Sequence, residues 1–126
     1  MKGDKAERDE AINYFSTVAN SEVQELNLTV TREQQSGSHL LLNVIEMLDE
    51  CRRYSDGSDL YAYLYYDTYN NLARIQNYAG TIEGSLFYLL KALDYTKYLS
   101  AQDPSKAEDL IQSTIIPELL MNICNA

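Results

Sequence analysis

Apolar residues recur along this chain at every third or fourth position, in runs long enough to read as helices rather than strands. The first run, Ile12, Phe15, Ala19, Val23, Leu26 and Val30, puts one stripe on a helical segment over 4–35. Asp4 and Glu7 have the spacing of a capping box at its start, and Ser36-Gly37-Ser38 supplies its end. One helix or two fit this segment. Asn20-Ser21-Glu22 is a candidate break, and the run from Asn27 to Thr31 is polar and β-branched, with modest helix propensity.

A second stripe, Leu41, Val44, Ile45, Leu48 and Cys51, follows a cap at Ser38 and predicts a helix over 39–54, stopped by Ser55-Asp56-Gly57-Ser58-Asp59. Leu60, Leu64, Thr68, Leu72, Ile75 and Ala79 line a third helix over 60–79, with Gly80 placed to take the left-handed conformation that often ends one. Thr81 starts a fourth over 82–99, its apolar face being Ile82, Leu86, Leu89, Leu90 and Leu93. Ser105 and Glu108 offer another capping box for a segment over 105–126, striped by Leu110, Ile111, Ile115, Leu119 and Ile123. Pro117 removes an amide inside that run, so it kinks or divides the helix after Ile116.

The residues Tyr69, Leu72, Ala73, Gly80, Ser85, Ala92 and Leu93 give the chain a family likeness. A bulky residue and Leu on one helix, a small residue directly after, a closing Gly, then a small residue and Ala-Leu on the next helix resemble a tetratricopeptide repeat. Ser85 stands where that family usually has Ala, and the terminating Pro comes late, at Pro104. A fainter repetition lays Leu41 to Asp49 on Leu86 to Asp94, and Met121-Asn122-Ile123-Cys124 on Asn70-Asn71-Leu72-Ala73. The two offsets differ, which suits repeats longer than the usual length of about 34 residues. The Asn-Asn-Leu-Ala and Ala-Leu-Asp-Tyr-Thr-Lys runs are closest in pattern to the extended repeats of kinesin light chain relatives. The resemblance covers roughly 66–104. It implies an all-α fold in a single domain over 1–126, with antiparallel helix pairs stacked as a short right-handed superhelix, an α–α solenoid of about five helices. On that plan the end at Met121 to Ala126 is either the start of a repeat cut from a longer array or a capping helix.

The same resemblance places the first helix of each pair on a concave side, where Asp67, Asn70, Asn71, Arg74 and Asn77 would be offered to a ligand. Asn70, Asn71 and Arg74 would then hydrogen-bond the backbone of an extended peptide, work that suits an amide because it donates and accepts at once. Arg74 is the one basic residue of this set and Asp67 lies near it, so a clamp for a terminal carboxylate is not expected. The plainer alternative for the Asn pair is a solvated face or hydrogen bonding between repeats.

Tyrosine adds a second candidate surface. Six of the 11 tyrosines, Tyr61, Tyr63, Tyr65, Tyr66, Tyr69 and Tyr78, crowd the third helix. Tyr61, Tyr65 and Tyr69 follow one stripe beside the leucines, whereas Tyr63 and Tyr66 point elsewhere, toward another element, a partner or water. Packing between helices is the plain reading and a partner surface the functional one.

Ten basic against 19 acidic side chains leave a net charge of -9, which repels nucleic acid and anionic membranes and favours partners with basic segments. Cys51 and Cys124 lie beside apolar stripes, with no CxxC and no secretory signal, so reduced thiols and a cytoplasmic location are expected. His39 has no placed acid beside it, Glu-x-x-His pairs are missing, and Gly80 and Gly84 punctuate helices rather than cradle phosphate. No catalytic residue, metal or cofactor is therefore expected. The function this supports is a protein-interaction or scaffold module that binds a peptide or partner helix on its concave face. The alternative is a self-associating subunit that uses the tyrosine face and an open C-terminal end.

Overall fold

The computed structural model describes residues 2–54 and 59–102 together with 105 and 109. Among these residues there are four helices and no strand: α1 (Lys2–Glu25), α2 (Thr31–Arg52), α3 (Asp59–Tyr78) and α4 (Ile82–Gln102). The expected fifth segment, apart from Ser105 and Asp109, lies outside the described residues, as does the 55–58 part of the expected stop.

Two boundaries differ from expectation. Already helical from Lys2, α1 holds Asp4 within its first turn rather than at a cap. The chain breaks at 26–30, not at Ser36-Gly37-Ser38, and Asn20 to Glu22 stay helical. Side chains stabilise the break by satisfying backbone groups at the turn: Asn27 Oδ1 accepts from the Thr29 amide (3.2 Å) and hydroxyl (2.6 Å), Glu33 Oε1 accepts from the Asn27 amide (3.1 Å), and Gln34 Nε2 donates to the Leu28 carbonyl (2.7 Å). Ser38, expected as a cap, is therefore interior to α2.

Gly37 has a packing role in place of the expected breaking one. A Cβ at this position would stand 3.0 Å from Ile75 Cδ1 and 3.2 Å from Leu26 Cδ1, so the missing side chain lets α2 approach α3 and the turn after α1. Replacing Gly37 by Leu is expected to destabilise the fold by about 1–3 kcal/mol through overpacking. Gly37→Ala should be close to neutral, because a gain of roughly 1 kcal/mol in helix propensity offsets the tight contact. Urea denaturation followed by helical circular dichroism distinguishes the two.

The core forms where the stripes of α1, α2 and α3 meet. Ile12 and Ala19 of α1, Val44 and Leu48 of α2, and Tyr61, Leu64 and Tyr65 of α3 are buried together, and a second cluster joins Val23, Leu28, Leu41, Leu72 and Ile75. The principal contacts run α1 to α2, α2 to α3, α1 to α3 and α3 to α4. Helix α3 is thus shared by all three neighbours, and its expected stripe is buried at Leu64, Thr68, Leu72 and Ile75.

At the end of α3 the Thr81 amide bonds the Gln76 carbonyl (2.9 Å) and the Gly80 amide the Asn77 carbonyl (3.1 Å), the paired bonds of a Schellman motif. Gly80 takes φ 81, the left-handed value that motif requires and that a side chain would disfavour. The reversal lays α4 against α3 through Ser85, Leu89, Ala92 and Thr96, all buried, with the Ser85 hydroxyl donating to the Ala73 carbonyl (2.8 Å). Small side chains at Ala73, Ser85 and Ala92 permit that approach. The α4 face expected from leucine spacing is consequently rotated: Leu89 is buried, but Leu86 and Leu90 are 38% and 61% exposed.

Candidate functional site

Small polar residues interrupt the apolar stripes of α1 and α3 where these helices meet. Ser16, Asn20 and Gln24 recur at every fourth position of α1, and Thr68, Asn71 and Arg74 at every third of α3, so each set lies along one helix edge. Their hydrogen bonds run in one direction. Arg74 Nη1 donates to Gln24 Oε1 (2.7 Å), Gln24 Nε2 to Asn71 Oδ1 (2.7 Å), Asn71 Nδ2 to Asn20 Oδ1 (2.8 Å), Asn20 Nδ2 to Thr68 Oγ1 (3.1 Å), and the Thr68 hydroxyl to the Leu64 carbonyl (2.7 Å). Asn20 Nδ2 also donates to the Ser16 carbonyl (2.8 Å). Aligned donors and acceptors polarise one another, and satisfying Ser16, Asn20, Thr68 and Asn71 this way is what allows them inside.

Beside this seam runs a groove of about 270 Å³. Helix α1 lines it with Ser16, Thr17, Asn20, Ser21 and Gln24, and α3 with Leu64, Asp67, Asn70 and Asn71. Asp67 is exposed, and desolvation by the surrounding protein raises its carboxyl above the usual carboxylate range. Asn70 Oδ1 is closed to solvent and has no hydrogen-bond donor among the described residues, an arrangement that costs about 1–3 kcal/mol.

The seven residues singled out by sequence divide in three. Asp67 and Asn70 line the groove on its α3 side. Tyr63 and Arg74, both half-buried, continue the same strip, since 63, 67, 70 and 74 follow one helix edge. Asn71, Tyr66 and Asn77 are inside the fold at 5%, 2% and 6% exposure; for Asn71 the hydrogen bonds to Asn20 and Gln24 account for its inward position. Sequence reasoning missed the α1 wall. Its visible sign was Ser16 and Asn20 standing within the stripe of Ile12, Ala19 and Val23, where a polar side chain needs a partner across an interface.

The tyrosines on the opposite flank of α3 pack internally. Tyr65 stacks on Tyr95 of α4 (ring centroids 4.8 Å, planes 5° apart), and Tyr69 lies 6.0 Å from Tyr65 and 6.1 Å from Tyr88. Arg52 lies over the Tyr65 ring at 5.7 Å and Lys91 over Tyr69 at 5.8 Å. The Tyr65 hydroxyl donates to Asp49 Oδ1 (2.6 Å) and that of Tyr61 to Asp9 Oδ1 (2.5 Å). This stack ties α2, α3 and α4 together and places Tyr61, Tyr65 and Tyr69 along one stripe, as their spacing predicts.

Cys51 is half-buried as a free thiol, its pKa pushed up by burial, with Arg8 opposing and Asp9 and Glu50 adding to the rise. Since the thiolate is the nucleophile, Cys51 is expected to react with a disulfide reagent more slowly than an exposed peptide cysteine near pH 8. The rate should reach the peptide value in denaturant. A Cys124→Ser chain isolates this signal, and equal rates folded and unfolded would contradict it.

Among the described residues no three His, Cys, Asp or Glu side chains gather to hold a metal ion, and no helix is long and apolar enough to cross a membrane. Comparisons with protein-family models, with curated proteins and with solved structures each return no match. What the fold and groove define is an all-helical protein with a polar channel between two of its helices.

Proposed function

We propose that the chain is a non-catalytic interaction or scaffold module, tetratricopeptide-like in build, that binds a peptide or partner helix in the groove between α1 and α3. One observation carries this reading: Asp67 and Asn70 line an open channel while, among the described residues, no hydrogen bond or ion pair uses the exposed Asp67 carboxylate. The order of helix contacts supports the solenoid part, because each helix meets the next and α1 also meets α3, as leading helices of stacked pairs do. A groove between leading helices belongs to the concave side of such a stack. Asn71 and Arg74 then act as its frame rather than as ligand contacts, as both bond α1 through Gln24. The partner is a protein or peptide of the cytoplasm rather than nucleic acid or membrane, in keeping with the charge of -9.

A second reading, self-association, draws on the outward face of α4, where Leu86, Phe87 and Leu90 are 38%, 56% and 61% exposed. Affinity capture from cell lysate separates the two. The wild-type chain is compared with Asp67→Ala/Asn70→Ala and with Leu86→Ser/Leu90→Ser, once equal helical content is shown for all three. Partners lost only by the first variant are the expected result. Loss only with the second, together with a mass that rises with concentration in the wild type, favours self-association and contradicts the groove.

A further inference from the structure

A donor and acceptor account of the groove defines its ligand. The relay from Arg74 to Leu64 engages a donor of each of Gln24, Asn71, Asn20 and Thr68 with another group of the protein. Asn20 Oδ1 and Asn71 Oδ1 are engaged as acceptors by the same relay. Two acceptors on the α3 wall are outside it: the Asp67 carboxylate, with no cation against it among the described residues, and Asn70 Oδ1, with no donor among them. They are three residues apart on one helix, hence neighbours on its surface, and they line the same channel. An incoming carbonyl or carboxylate finds the Gln24, Asn71 and Asn20 amides bonded in the relay, and a carboxylate is opposed by the Asp67 charge. A cationic donor finds the exposed Asp67 carboxylate, while Asn70 Oδ1 beside it is closed to solvent.

Resting on the peptide-binding reading, we propose that the groove between α1 and α3 takes a lysine or arginine side chain of its partner, held by the Asp67 carboxylate beside Asn70. The basic head group meets the carboxylate in a charge-assisted hydrogen bond, stronger than a neutral one. Its apolar stem lies along Leu64, the apolar side chain among the groove's lining residues. The net charge of -9 favours the approach of such a segment from a distance.

Selection from a phage-displayed library of random peptides on the purified full chain tests this, with Asp67→Asn and Asn70→Ala as companions of unchanged helical content. Binders sharing a Lys or Arg at a fixed position, weakened about tenfold or more by Asp67→Asn and, on the wild-type chain, weakened by raised salt, are the expected result. Binders without a shared cation, yet weakened by the same two variants, overturn the basic ligand and keep the peptide groove. Binders indifferent to both variants, or no binders, overturn the ligand and the groove reading together.

Discussion

In urea titrations, Asn20→Leu is expected to lower stability by about 1–3 kcal/mol, because it leaves the buried Asn71 amide without its acceptor. Leu matches Asn in the number and branching of side-chain heavy atoms but is bulkier, so it leaves no cavity. Asn71→Leu alone is expected to cost a similar amount by leaving Asn20 Oδ1 without its donor. The double variant behaves differently. With both amides replaced, the facing surfaces are apolar, and Gln24, which lies exposed, can turn to water. The two costs are therefore expected to be non-additive by about 0.5–3 kcal/mol, with the double variant more stable than the sum of singles predicts. Additive losses would show that the relay between α1 and α3 is a set of independent bonds and not a coupled unit.

Alkaline solution should destabilise this fold strongly. Burial raises Tyr61 and Tyr69 from the ordinary 10.0 to about 12; the hydrogen bond to Asp9 adds to the rise at Tyr61, and the charge of Tyr95 adds to it at Tyr69. Tyr65 and Tyr95 move in the same direction, again chiefly by burial. A group whose folded pKa exceeds its unfolded one keeps its proton in the native state while the unfolded chain releases it, so unfolding becomes easier as pH rises. This stabilisation is present in full below about pH 10 and is lost as pH climbs through about 12. The melting temperature is expected to fall steeply across that window, with most phenolate absorbance appearing together with loss of helix. Tyr61→Phe should make the fall shallower. Phenolate absorbance that grows smoothly while the helix persists would contradict the buried hydroxyls.

Sequence made some of these features legible and hid others for specific physical reasons. Gly80 could be placed at a helix end because a glycine directly after a periodic apolar run is the residue best able to close a helix in the left-handed conformation, and the structure shows the full Schellman bonding. The stripe Leu64, Thr68, Leu72 and Ile75 was visible from spacing because these residues share the face of α3 that packs against α1 and α2, while another face meets α4. Gly37 was misleading. A glycine between two serines marks a turn when only local propensity is considered, yet it marks a close approach when Ile75 and Leu26 arrive from distant parts of the chain. Leu86 and Leu90 misled in the opposite way, since leucine spacing identified an apolar face but small residues decided which face of α4 packs. Asn71 could not be told from Asn70 by sequence. Adjacent on the helix, they turn about 100° apart, and only the position of α1 decides which one is drawn inside. Asp67 and Asn70 were accessible to sequence reasoning as a strip; the α1 wall that makes the strip a groove needed the fold.

The most direct measurement of where the chain binds is a nuclear magnetic resonance titration of the labelled protein with its tightest selected peptide, following backbone and side-chain amide signals. Binding in the groove predicts that the largest shifts fall on Thr17, Ser21, Asp67 and Asn70, including the Asn70 side-chain amide, with α4 little changed. Shifts gathered on Leu86, Phe87 and Leu90 instead, with the groove silent, would contradict it and place the contact on the outer face of α4.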